Sequence, residues 1–157
     1  MLNINSILGN IFKDSSLEYD NFEKLIISRI DLEKRILRKK TNLGTDIGIN
    51  LNSSTKLQHG DIIGNDETKI IVEQMPEKVI SVKLKENDEK IAILLGHIIG
   101  NRHRPIAIKD KMILFPIQED SELEIFQRLL KEIIDHIELK IEEEIFLPHT
   151  SADVHEH

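Results

Sequence analysis

Leu95-Gly96-His97-Ile98-Ile99-Gly100-Asn101-Arg102-His103-Arg104-Pro105 closes an apolar helical pattern on a proline that stops the helix. A β-rich half precedes this stretch, and an αβ segment ending in further histidines follows it. His103 falls just past the helix end, on a loop rather than in the core. A neutral imidazole there suits nickel, copper or zinc, whereas carboxylates and water suit magnesium or calcium.

Working outward, Ile80, Val82 and Leu84 alternate as a strand. Asn87 or Asp88 is placed to cap a helix whose core face reads Ile91, Leu94, Leu95 and Ile98. Gly100 and Asn101 are residues expected at a left-handed C-terminal cap. Pro105 opens a strand with Ile106 and Ile108, and a polar turn at 109–111 leads into Met112-Ile113-Leu114-Phe115. Ser121-Glu122-Leu123-Glu124 fits a capping box, followed by a stripe of Leu123, Phe126, Leu130, Ile133 and Ile134. Ile137, Leu139 and Ile141 alternate in a closing strand. The order is βαββαβ, which predicts a ferredoxin-like domain over 76–147. The stretch 148–157 lacks apolar periodicity and is expected to be a flexible, His-containing tail.

Upstream, Pro76 marks a change of pattern, with the boundary between Gln74 and Glu77. Residues 1–75 carry short alternating runs separated by Gly, Asn, Asp and Ser, which predict a small β domain. Ile30 and Leu32 read as a strand, as do Ile47, Ile49 and Leu51, Ile62-Ile63, and Lys69-Ile70-Ile71-Val72. In the first stretch, Ile7, Leu8, Ile11 and Phe12 have helical spacing that Gly9 weakens, and Phe22, Leu25, Ile26 and Ile27 suit a strand equally well. Lys34, Arg35, Arg38, Lys39 and Lys40 form a basic cluster, read most simply as a solvated strand face. The fold class is therefore α+β, a β domain followed by a βαββαβ domain.

Bulk composition excludes several functions. A net charge of -7, no Trp and one Tyr argue against nucleic-acid binding, which needs positive patches and stacking aromatics. No apolar run approaches the roughly 18 residues of a membrane span. The first residues lack the basic-then-apolar order of a secretory signal. Cysteine is absent, so neither disulfides nor thiolate metal sites are possible. A cytoplasmic location follows by elimination. No nucleophile elbow, Walker loop or dinucleotide fingerprint is present, and nothing identifies an enzyme.

One imidazole does not make a metal site. An isologous dimer with this loop near its twofold axis would supply two His103 side chains, and His149, His155 and His157 would complete the set. His97 reads as a packing or hydrogen-bonded histidine, His59 as a turn residue, and His136 as a helix-terminal residue complementing the dipole. The spacing of Gly96 and Gly100 matches a membrane-helix dimer motif only by accident.

The stretch 95–105, with Ile106-Ala107-Ile108 and Leu114-Phe115-Pro116-Ile117, resembles the signature of the UreE family of urease accessory proteins. The likeness extends through Leu32-Glu33-Lys34-Arg35-Ile36-Leu37-Arg38, Asp46-Ile47-Gly48-Ile49 and Leu57-Gln58-His59-Gly60-Asp61-Ile62-Ile63. It implies an N-terminal domain like the peptide-binding module of some Hsp40 chaperones and a ferredoxin-like metal-binding domain. It also implies a homodimer in which His103 of each chain, with histidines among His149, His155 and His157, holds Ni(II) as cargo. Zn(II) or Cu(II) would substitute in vitro. The implied partners are the urease apoprotein complex and the accessory GTPase UreG. Family members with long His-rich tails store nickel, and three tail histidines favour delivery over storage. Protonated imidazole cannot ligate, so binding is expected to weaken in acid. Two alternatives compete: a protein-binding adaptor with incidental metal binding, and an RNA reader on the same topology. The second fails on charge and aromatics.

Overall fold

The computed structural model describes residues 1–14 and 21–149. The chain divides into two compact units, Met1–Met75 and Pro76–His157. Among the described residues no helix is long and apolar enough to cross a membrane.

The first unit contains β1 (Leu2–Ile4), β2 (Gly9–Asn10), β3 (Glu23–Ile27), α1 (Arg29–Leu32), β4 (Ile36–Lys40), β5 (Asp46–Asn50), β6 (Asp61–Gly64) and β7 (Lys69–Gln74). They make two sheets, β1-β5-β4 and β2-β6-β7-β3. Period-two alternation turns Leu25, Ile27, Ile47 and Ile49 inward, where they join Ile63, Ile70 and Val72 in one core. The helical spacing near residue 8 is overridden, because Gly9–Asn10 pairs with β6.

Arg29–Leu32 departs from the expected strand. The Ser28 hydroxyl accepts the Asp31 N–H and caps a single helical turn, which buries Leu32 and leaves Ile30 63% exposed. Within the basic cluster, Lys34 and Lys39 pair with Asp31, and Arg38 meets Asp46 through two hydrogen bonds. Asp61 is a buried carboxylate that accepts from Asn10 Nδ2 and the Gln58 N–H. Burial outweighs these donors and pushes its carboxyl up.

The second unit contains β8 (Glu77–Leu84), α2 (Glu89–Gly100), β9 (Ala107–Lys109), β10 (Met112–Pro116), α3 (Glu122–Leu129) and β11 (Ile137–Glu144). Every strand pair is antiparallel, in the order β11-β8-β10-β9. The last strand therefore lies beside the first, registered from Ile137 opposite Leu84 to Glu144 opposite Glu77. Val79, Ile80, Ser81 and Val82 are all buried, so β8 is covered on both faces. Ile80 and Val82 join the helical core with Ile91, Leu95, Phe115 and Phe126. Val79 packs on the other face with Leu114 and Phe146.

Asp88 is the cap of α2, its Oδ1 accepting the Lys90 and Ile91 N–H groups. Asp88→Ala is expected to lower unfolding free energy by about 1 kcal/mol, read by urea denaturation, because two backbone donors lose their acceptor. Of the expected face of α2, Ile91 and Leu95 are buried and Ile98 packs half-buried against the same core, whereas Leu94 stands 37% exposed and Ile99 is buried in its stead. A strict i, i+4 line is turned toward the sheet. At α3, Ser121 makes no side-chain cap. The Glu122 carboxylate turns back on the loop before the helix, where its Oε2 accepts the Gln118 and Glu119 N–H groups. The helix stops at Leu129, and Ile134–His136 is a separate 3-10 turn, so His136 does not end α3. Leu130 and Ile133 are buried all the same, since i, i+3 spacing suits a tight turn as well as a helix.

Candidate metal centre

The chain leaves α2 through three consecutive turn bonds: Asn101 N–H to His97 O, Arg102 N–H to Ile99 O, and His103 N–H to Gly100 O. Asn101 stays right-handed, so the expected left-handed cap is not at 100–101. His103 is the left-handed residue instead, with φ 53°. Pro105 supplies the reason. The residue before a proline is driven to extended backbone, so the reversal falls one residue earlier.

This geometry leaves His103 at the surface. Its side chain is exposed and makes no hydrogen bond among the described residues. It lines a cavity of about 200 Å³ together with Gly96, Ile99, Gly100, Arg104, Ile106 and Ile113. The His149 N–H donates to Ile106 O at 2.7 Å, which ties the start of the tail to a residue lining the same cavity. Pro148 and His149, expected to belong to a flexible tail, are thus held along this loop. His155 and His157 lie outside the described residues. Among the described residues no three His, Asp or Glu side chains gather in metal-binding geometry. Among the described residues the chain offers an exposed imidazole donor, not a closed coordination sphere.

The remaining histidines have other occupations. His97 is exposed rather than packed, with its Nε2 3.4 Å from Asn101 Nδ2. His59 is more than a turn residue. Its Nδ1 accepts the Gln74 N–H, which makes Nε2 the protonated nitrogen of a neutral ring, and Phe12 lies 5.3 Å away.

Arg104, the neighbour of His103, and Glu122 form an ion pair that the sequence pattern did not single out. Arg104 donates from Nη1 to Pro116 O and from Nη2 to Glu122 Oε1 at 2.6 Å. Its guanidinium lies 5.1 Å from the centre of the Phe126 ring. The one available signal was an arginine before a proline, which is too common to point anywhere. Burial pushes the Glu122 carboxyl up, but the Gln118 N–H, Arg104 and the Glu119 N–H together outweigh it and hold the group below its usual range. A carboxyl depressed in the fold contributes stability that is present above its unfolded value, near 4.5, and lost as pH falls through the folded value. Wild type is therefore expected to lose stability between pH 5 and 3 more steeply than Glu122→Gln, as read by urea midpoints across about that range.

Comparison with known proteins follows the same lines. A family model described as the N-terminal domain of the UreE urease accessory protein matches residues 4–74. A urease accessory protein UreE of Streptococcus vestibularis is 30% identical over 148 residues, covering 94% of this chain and 95% of the relative. The protein of that name from Staphylococcus epidermidis is 38% identical over 135 residues and 83% of each chain. The one from Geobacillus kaustophilus is 34% identical over 115 residues, or 71% and 74%.

Proposed function

The chain belongs to the UreE family of urease accessory proteins, and from that premise we propose that it is a nickel carrier that delivers Ni(II) to apo-urease during active-site assembly. The family is an accessory one, so the protein is not an enzyme. The observation that carries the reading is the His103 imidazole, exposed and free of hydrogen bonds on a fixed loop. Neutral imidazole binds nickel well, and zinc or copper would compete for the same donor in vitro.

In this reading the ion sits between two copies, with His103 from each. The exposed side of α2 supports this pairing. Ile93 is 71% exposed, and among the described residues nothing stands within 4 Å of a Cβ built on Gly96 or Gly100. That side is small and apolar enough for a twin helix to approach. His149, His155 and His157 are the further ligands, with His149 the best placed through its bond to Ile106. Donors on a tail permit capture and release, which suits delivery.

The βαββαβ order, with the last strand beside the first, supports a ferredoxin-like metal-binding domain over 76–147, leaving 148–157 as the His-containing tail. The two-sheet unit before it supports an Hsp40-like peptide-binding role for 1–75. The urease apoprotein complex and the GTPase UreG are the proposed partners, in the cytoplasm.

Nickel titration by calorimetry, with mass measured in solution, tests the reading. One tight ion per two chains is the expected result. A monomer binding one ion, or a dimer binding none tightly, would overturn it.

A further inference from the structure

We propose that Arg104 is the positioning residue of the His103 ligand, clamping the loop so that the backbone carrying the imidazole is held in one conformation. The proposal rests on the carrier reading above and assigns a role to a side chain that touches no metal.

His103, with φ 53°, occupies a left-handed backbone conformation that disfavours an L-residue, so its surroundings must hold it there. Upstream it has only a single turn bond, to Gly100 O. Downstream, Arg104 supplies the hold. Its side chain is 28% exposed and is fixed at three points: Pro116 O at the end of β10, Glu122 at the start of α3, and the face of Phe126. Glu122 is itself immobilised by the Gln118 and Glu119 N–H groups, so the anchor is rigid. A guanidinium fork meets all three partners at once, which a lysine ammonium cannot do. The imidazole makes no hydrogen bond of its own among the described residues, so the backbone fixes where its Cα–Cβ bond points while the ring turns about χ1 and χ2. Ligands in metal sites are usually oriented by a second hydrogen bond on the ring. Here the neighbouring residue fixes the base of the side chain through the main chain, leaving both ring nitrogens available. A site that must accept an ion and give it up gains from preorganisation that does not occupy the donor.

The experiment uses the full chain as wild type, Arg104→Gln, Arg104→Lys, His103→Asn and the double variant His103→Asn/Arg104→Gln. Calorimetry reads nickel affinity, and amide hydrogen exchange of the metal-free protein reads the His103 N–H alongside core amides of β8 and β10. Arg104→Gln is expected to weaken nickel by about tenfold and to speed exchange at His103 while core protection is kept. Arg104→Lys should restore little, because charge without the fork is not enough. In the His103→Asn background, Arg104→Gln should change nickel affinity no further. If Arg104→Gln binds within about twofold of wild type while His103→Asn does not, the clamp is wrong and the carrier stands. If His103→Asn binds like wild type, the carrier reading falls, and unchanged exchange at His103 in Arg104→Gln would remove the clamp as well. Should Arg104→Gln lose core protection, Glu122→Gln leaves Arg104 its Pro116 and Phe126 contacts and is judged by the same criteria.

Discussion

Replacing His103 with asparagine is expected to weaken nickel binding by at least about a hundredfold, equivalent to some 2.7 kcal/mol, and to abolish the one-per-dimer stoichiometry. Asparagine is the right substitution because His103 has φ 53°, a conformation that Asn tolerates and Ala does not. An alanine variant would mix the loss of a ligand with a strained loop. With asparagine the backbone is kept and the imidazole alone is lost. Because a shared site takes His103 from both chains, each substitution removes two ligands from the ion, and tail donors alone hold what remains. A His103→Asn protein with wild-type affinity would make this histidine structural. Full urease activation by that variant at limiting nickel would favour the adaptor reading, with the work done by 1–75.

How far the sequence could be read depended on whether its signals were periodic or contextual. In the second unit, strands and helices announced themselves through strong period-two and i, i+4 patterns, and the βαββαβ order is present. Errors fell where a local choice overrode the pattern. Ser28 captured a backbone donor and turned a segment with strand spacing into a helical turn. Ser121 makes no side-chain cap at α3, and the Glu122 carboxylate, held by Arg104, accepts instead from the Gln118 and Glu119 N–H groups of the preceding loop. On α2 the exchange of Leu94 for Ile99 is a rotation of the apolar stripe by a fraction of a turn. No composition rule resolves that. The candidate site was legible in kind but not in detail. His103 could be placed beyond a helix, yet its left-handed backbone followed from Pro105 two residues on. The Arg104 clamp joins residues far apart in the chain, and only the fold brings Pro116, Glu122 and Phe126 to one point. The same holds for His149, whose N–H donates to Ile106 O in a main-chain bond that side-chain identity does not forecast.

Phe126→Ala is expected to lower the stability of the second unit by about 3–5 kcal/mol, enough to consume much of what a small domain has. Phe126 is 1% exposed and fully enclosed, with its ring 4.5 Å from Phe115 at a 48° tilt. Removing it forfeits transfer energy, leaves a void and loses the aromatic pair. Urea denaturation followed by amide exchange in β8 and β10 measures the loss, and a decrease below about 1.5 kcal/mol would mean that the helix collapses onto Phe115 and fills the space. Phe126→Leu separates packing from the site. Leucine fills most of the volume, so stability should fall by roughly 1 kcal/mol, but it offers no aromatic face to the Arg104 guanidinium now 5.1 Å from the ring centre. If nickel affinity falls in Phe126→Leu while core exchange stays slow, the ring is supporting the metal loop through Arg104. If affinity and core protection fall together, Phe126 is core alone, and the loop depends only on Pro116 and Glu122.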